Sequence, residues 1–156
     1  MESRKALTIA FFVLVLSIGY YSMGAAPVRS DSGYSYHGGT EWHTNVTEAQ
    51  SIAANQDKPI LVYFWTTWCT YCEDYNEQVY DTPAVRNQLD EFVLLAVNLD
   101  SSQSSHVGVA QQYNADYPPQ HVVTTPNGTQ VSKLPGYASK NDFLGYLEQA
   151  QQRYRR

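Results

Sequence analysis

Pro59-Ile60-Leu61-Val62-Tyr63-Phe64-Trp65-Thr66-Thr67-Trp68-Cys69-Thr70-Tyr71-Cys72 is the stretch on which the reading of this chain turns. Ile60 to Trp65 is a short, unbroken apolar run, the pattern of a strand covered on both faces. Tyr75, Val79 and Tyr80 then recur at helical spacing, so the two cysteines fall where a buried strand turns into a helix. A helix N-terminus offers unpaired N–H groups and the positive end of the dipole, which makes a thiol there easier to ionise. Cys69 is therefore the expected attacking sulfur. Cysteines at i and i+3 bring their sulfurs together, so Cys72 can resolve a mixed disulfide formed on Cys69. As a staple the pair has little to offer: chain entropy gives about 2 kcal/mol for so short a loop, against about 4.7 for one of 100 residues. Soft metal ligation and chemical silence are the other readings of two such thiols.

Working outward, the elements alternate. Thr44 or Thr47 is expected to cap a helix with Ala49, Ile52 and Ala53 on one face, stopped by Lys58-Pro59. Thr82-Pro83 looks like an N-cap with proline at the first helical position, opening Ala84 to Leu89, and Phe92 to Leu99 is a second buried strand. A Ser- and Gln-rich loop leads to a short helix with Val107, Val109 and Ala110. Tyr117-Pro118-Pro119 then breaks the chain before a strand through His121, Val122 and Val123. Pro126-Asn127-Gly128 is a hairpin turn, after which a strand through Val131 returns antiparallel. Ser139, with Asp142 three positions on, starts a last helix with Phe143, Leu144 and Leu147 inward. The sum is an α/β fold with a mixed central sheet flanked by helices.

The 156 residues, 43% of them hydrophobic, suffice for one core and are too few for two ordinary domains with a linker. A net charge of −5 supplies no basic field for a phosphate backbone, which argues against nucleic acid as a partner. Residues 1–26 have the layout of a signal peptide or membrane anchor. Arg4 and Lys5 precede an apolar run from Ala6 to Ile18, and Gly24, Ala25 and Ala26 follow. Extended to Ala26, the run reaches about 31 Å as a helix, enough to span a bilayer. Either form holds the domain outside the cytoplasm. Residues 27–41, rich in Ser and Gly, read as a flexible linker, with no role for Tyr34, Tyr36 or His37. The folded domain is expected over residues 42–156.

The run from Pro59 to Cys72, with Trp68 before the first cysteine and Trp65 three residues earlier, resembles the strand and active-site turn of the thioredoxin superfamily. Pro119, nine residues ahead of Gly128, matches that family's cis-proline, and Gly136 matches the glycine after its hairpin. The resemblance runs from about Trp42 to Gln149. Within the superfamily it is nearest to exported thioredoxin-like domains, including the C-terminal domain of the DsbD membrane reductase. It implies a thioredoxin fold and a thiol-disulfide oxidoreductase that cycles Cys69 and Cys72 without a bound cofactor. Trp68, Thr70, Tyr71, Pro118, Pro119 and Gly136 would support the site and contact substrate. The partners implied are protein disulfides or dithiols and a membrane electron donor.

Three departures from the family pattern bear on mechanism. Tyr63 stands where thioredoxins carry a buried acid, and a phenol is a poor base at neutral pH. Proton transfer from Cys72 would then fall to water or to Glu73 or Asp74. No Lys or Arg lies between Lys58 and Arg86, whereas Glu73, Asp74, Glu77 and Asp81 follow the cysteines, a balance that disfavours a thiolate and favours a reductase. Pro118 has no N–H for a substrate strand, so one backbone hydrogen bond is expected to be missing. The different-class reading is a thiolate metal-binding or metal-delivery module. His37, His43, His106 and His121 show no mutual ligand spacing, no metal site is expected, and His121 reads as a packed strand residue. A third reading is a redox-silent binding domain. The triplets at Asn45 and Asn127 fit a glycosylation acceptor and receive no role.

Overall fold

The computed structural model describes residues 40–156. The signal or anchor segment over 1–26 and the linker as far as residue 39 lie outside the described residues. Four strands form one sheet: β1 (Ile60–Trp65), β2 (Val93–Asn98), β3 (Gln120–Thr124) and β4 (Gln130–Pro135), in the order β2-β1-β3-β4. β1 is parallel to β2, with Ile60 opposite Val93 and Trp65 opposite Asn98, and antiparallel to β3, with Ile60 opposite Thr124 and Phe64 opposite Gln120. β4 returns antiparallel to β3. His43 adds a single parallel bridge to Leu95 on the outer side of β2.

β1 is buried along its whole length because both faces of the sheet are covered. Leu61, Tyr63 and Trp65 point into a core that also holds Cys69, Cys72, Tyr75, Val79, Tyr80, Phe143 and Leu147. Ile60, Val62 and Phe64 point the other way, against Ala49, Ala53, Val109 and Tyr113. The period of two along the strand thus builds two cores.

Helix α1 (Val46–Gln56) buries only Ala49 and Ala53, small residues that let it lie close on the sheet, while Ile52 is half-buried. Its cap is Asn45, not Thr44 or Thr47: Asn45 has extended backbone and its side chain accepts from the Glu48 N–H at 3.1 Å. Thr47 is already inside the first turn. After β1 come α2 (Thr70–Asp74) and a π-helical turn, Tyr75–Tyr80. The wider turn brings Tyr75, Val79 and Tyr80 inward together, where the sequence spacing implied an ordinary α-helix. Helix α3 (Pro83–Leu89) opens with proline as expected, but the Thr82 hydroxyl donates to the Val79 carbonyl and does not cap.

β2 is one residue shorter at each end than the apolar run, because Phe92 closes a turn onto Leu89 and Leu99 bonds back to Trp65. In α4 (Ser104–Gln112) His106 and Val109 face inward and Val107 is exposed. The hairpin forms at Pro126-Asn127-Gly128, with the Gly128 N–H donating to Thr125. Gly128 has a φ of 85°, and a Cβ there would press on Gln112 and Tyr113. Helix α5 (Lys140–Tyr154) is capped by Ser139, whose Oγ accepts from the Asp142 N–H. Phe143 and Leu147 are fully buried, each contributing about 2 kcal/mol of apolar burial. Leu144, expected inward beside them, is half-buried, since its neighbour Phe143 takes the centre of the face.

Candidate active site

Strand register gathers the site at one end of the sheet. β1 runs out at Trp65 into Thr66, Thr67, Trp68 and Cys69. Parallel pairing of Trp65 with Asn98 brings Asp100 to the same end, and antiparallel pairing of Phe64 with Gln120 brings Pro119 there. The pairing of Gln120 with Pro135 adds Gly136, whose N–H donates to the Pro119 carbonyl at 2.8 Å. Gly136 has a φ of 74°, a backbone that a side chain would strain.

Cys69 and Cys72 are joined as a disulfide, with Cα atoms 5.2 Å apart. Cys69 is the N-cap of α2, and its sulfur accepts from the Cys72 N–H at 3.2 Å. That N–H is the donor a thiolate at Cys69 would use. Both cysteines are 5–6% exposed, so an incoming sulfur meets a nearly covered pair. Around it stand exposed aromatics: Trp68 at 69%, Tyr71 at 60%, Tyr117 at 55% and Tyr137 at 38%. Tyr71 and Tyr137 lie with ring centroids 5.7 Å apart, and Tyr137 packs on buried Tyr75. Thr70, the first residue of α2, is exposed.

The peptide bond between Pro118 and Pro119 is cis, so Pro119 is the cis residue, as the family resemblance implied. Pro118 is half-buried and Pro119 buried. The Gln120 side chain donates to the Tyr117 carbonyl at 2.8 Å and ties the loop to β3.

Asp100 was not singled out in the sequence. Its carboxylate accepts from the Thr67 N–H at 3.2 Å, the Thr67 hydroxyl at 3.3 Å and the Trp68 indole N–H at 3.1 Å. Its own N–H donates to the Asn98 side chain at 2.8 Å. The signal available was an acid just past the second buried strand. Only the parallel register turns that position into the neighbour of the active-site turn.

The proposed proton-transfer residues separate clearly. Tyr63 is fully buried, and burial with the Tyr75 phenol close by pushes its hydroxyl far above the ordinary value, so it is no base near neutrality. Glu73 is exposed, and Asp74 is half-buried and accepts from the Gln78 amide at 2.9 Å. Among the described residues no three His, Cys, Asp or Glu side chains gather as a metal-binding group. His43 lies 4.0 Å from Glu48, and His106 spends both ring nitrogens on the Asn98 N–H and the Thr44 carbonyl. His121 sits among tyrosines. Asn45 serves as a helix cap, and Asn127 accepts from Thr129 within the hairpin.

This arrangement, a strand-to-helix disulfide beside a cis-proline, coincides with a family model: residues 46–151 match that of the thioredoxin-like domain. The chain belongs to the thioredoxin-like family. Its Cys69–Cys72 disulfide stands within the residues that the family model matches. It is 28% identical over 109 residues to the thiol:disulfide interchange protein DsbD of Vibrio vulnificus, covering 67% of this chain and 18% of that protein. It is 22% identical over 107 residues to DsbD of Haemophilus ducreyi, covering 67% of this chain and 19% of that protein. The chain thus spans about a fifth of the length of these curated relatives. A solved thioredoxin from Thermus thermophilus superposes with a TM-score of 0.61 at 27% identity, covering 74% of this chain and 87% of that one. The oxidised C-terminal domain of Neisseria meningitidis DsbD gives 0.58 at 19% identity, covering 70% of this chain and 99% of that one, which bears on the fold alone.

Proposed function

We propose that this thioredoxin-like chain is an extracytoplasmic reductase of protein disulfides. The observation that carries the direction is the charge around the pair. No Lys or Arg lies between Lys58 and Arg86, Glu73, Asp74 and Glu77 follow the cysteines, and Asp100 holds the turn just before them. Negative charge disfavours the Cys69 thiolate, so the dithiol is less stable relative to the disulfide and is the better electron donor.

In the forward cycle the Cys69 thiolate attacks one sulfur of a substrate disulfide, forming a mixed disulfide and releasing the other substrate sulfur as a thiolate. Cys72, deprotonated, then attacks Cys69. The Cys69–Cys72 bond forms, the second substrate sulfur leaves, and two electrons have passed to the substrate. A dithiol donor must reduce the pair again, and a membrane protein on the same side of the bilayer is the donor class we propose. The cycle requires no bound cofactor. Trp68, Tyr71 and Pro119 contact the substrate, with Thr70, Pro118 and Gly136 shaping the surface. Pro118 offers a carbonyl but no N–H, which favours a dedicated partner docking on the exposed aromatics over strand-like capture of any peptide.

The extracytoplasmic assignment rests on residues 1–26, a signal peptide or anchor, followed by a linker over 27–41 and the domain over 42–156. Among the described residues no helix is long and apolar enough to cross a membrane. The deciding experiment is the reduction potential of the pair, equilibrated against glutathione and thioredoxin couples and read by thiol trapping. A value near about −270 mV or lower supports a reductase, and one near about −120 mV overturns the direction.

A further inference from the structure

Resolution of the mixed disulfide requires Cys72 to lose a proton inside the core, where it is 5% exposed. Glu73 is exposed and Asp74 is half-buried, and the nearby phenols Tyr63, Tyr75 and Tyr80 all hold their protons more tightly than usual because burial disfavours the phenolate. Two buried imidazoles are described. His106 belongs to α4, on the far side of the sheet, with both nitrogens engaged by backbone. His121 belongs to β3.

His121 lies opposite Tyr63 in the β1–β3 ladder and, like Val123 two residues on, faces the core that contains Cys72. It is 0% exposed. Its ring stacks on Tyr63 at 4.8 Å and 15°, and its centroid is 4.8 Å from both Tyr75 and Phe143. Tyr75 follows Cys72 by three residues and lines the same core. His121 Nε2 is hydrogen-bonded to Tyr80 Oη at 2.5 Å. Among the groups facing this ring are Tyr63 from β1, Tyr75 and Tyr80 from the π-helical turn, and Phe143 from α5. Tyr146 of α5 donates to the His121 backbone carbonyl at 3.3 Å, and Leu134 is its neighbour on β4. None of them is charged at neutral pH.

We propose that His121 is a positioning residue for the resolving step: it receives, through the tyrosine hydroxyls, the proton that Cys72 gives up. Imidazole is the one side chain whose ordinary pKa lies near neutrality. While the ring is neutral the Tyr80 hydroxyl donates to Nε2, and in the transfer it passes that proton on and takes up the one that Cys72 releases. When the ring takes a proton at Nε2, the Tyr80 hydroxyl turns and accepts from it, so the bond survives in both states. The proton moves within the core and no net charge enters it, so the thiolate and the imidazolium offset one another's desolvation. The proton balance closes: Cys72 S–H becomes thiolate, His121 becomes imidazolium, and the thiolate forms the Cys69–Cys72 bond. The departing substrate thiolate is then protonated from solvent, and His121 returns its proton to solvent before the next cycle.

This inference rests on the dithiol reading above, and one experiment separates the two. The reduced full-length chain is mixed with an aromatic disulfide reagent whose thiolate absorbs visible light. The first release reports attack by Cys69, and the second reports resolution by Cys72. For His121→Phe we expect the first phase unchanged and the second slower by about tenfold at neutral pH, recovering as pH rises through the thiol range. His121→Gln and Tyr80→Phe, which disturb the packing differently, should shift the pH limb of the second phase in the same direction. They decide the matter if the Phe variant does not fold. A second phase with an unchanged pH profile in the folded variants overturns the role of His121. Absence of any first phase in the unaltered protein overturns the dithiol reading itself.

Discussion

Replacing Asp100 by Ala removes the acceptor for three hydrogen bonds, from the Thr67 N–H, the Thr67 hydroxyl and the Trp68 indole. A net hydrogen bond is worth about 1 kcal/mol, and more when the acceptor is charged. Asp100 is exposed, so solvent screening and replacement by water hold each bond to the lower part of that range. The three together come to about 2 kcal/mol, which for a domain of this size lowers the melting temperature by about 8 °C. Asp100→Asn separates geometry from charge. The amide keeps an acceptor for Trp68 and loses the negative charge. The thiolate of Cys69 is then less disfavoured, the reduced pair gains stability, and the potential rises by about 10–20 mV, since 30 mV corresponds to about 1.4 kcal/mol for this couple. Calorimetry on the oxidised protein measures the first effect and redox equilibration the second. An unchanged melting temperature in the Ala variant would show that water replaces the carboxylate without loss. A potential that falls in the Asn variant would refute the charge argument.

Pro118→Ile restores an N–H beside the cis peptide bond, and one added substrate hydrogen bond of about 1 kcal/mol should raise kcat/KM on generic protein disulfides about fivefold. An unchanged or lower kcat/KM counts against the missing-bond account. Gly136→Ala meets open space but keeps a φ of 74°, so it should cost about 1 kcal/mol by chemical denaturation. Raised pKa values at Tyr63, Tyr75, Tyr80 and Tyr146 mean that above pH 10 the unfolded chain binds fewer protons than the folded one. Stability is fully present below that pH and falls above it by about 1.4 kcal/mol per pH unit for each such phenol. Most of the phenolate absorbance of these four should therefore appear together with unfolding and not before it.

The parts of the fold that could be read from sequence are those where local and global signals agree. Ile60 to Trp65 is apolar at every position because both faces are covered, and the strand has those bounds. Ser139 and Pro83 sit where capping chemistry places them. The misses have local physical causes. Asn45 outcompeted its threonine neighbours because cap choice depends on which extended residue reaches an N–H two or three positions on. The π-helical turn hides inside a pattern that an α-helix also satisfies, since Tyr75, Val79 and Tyr80 differ only in how the backbone between them is wound. Asp100 escaped notice, and His121 was legible only as a packed strand residue, because their neighbours are remote in sequence. An acid after a strand and a histidine in an apolar run acquire roles only through pairing with β1.

That dependence on register explains why the site is placed by the sheet and not by any one loop. Side chains alternate along a strand, so a one-residue slip of β3 against β1 would carry His121 to the opposite face, away from Tyr63, and Val122 would take its place. The same slip would shift Pro119 relative to the end of β1, and with it the Gly136 bond to the Pro119 carbonyl. Both faces of β1 are buried, so slippage would bury His121 against Ala49, Ala53 and Val109, in a core whose Tyr113 already donates its hydroxyl to the Gly128 carbonyl. Burying an unpaired imidazole there costs free energy that the native register does not. The polar residue in the middle of an apolar strand therefore selects the register that assembles the cysteines, the cis-proline and Asp100 at one end of the sheet.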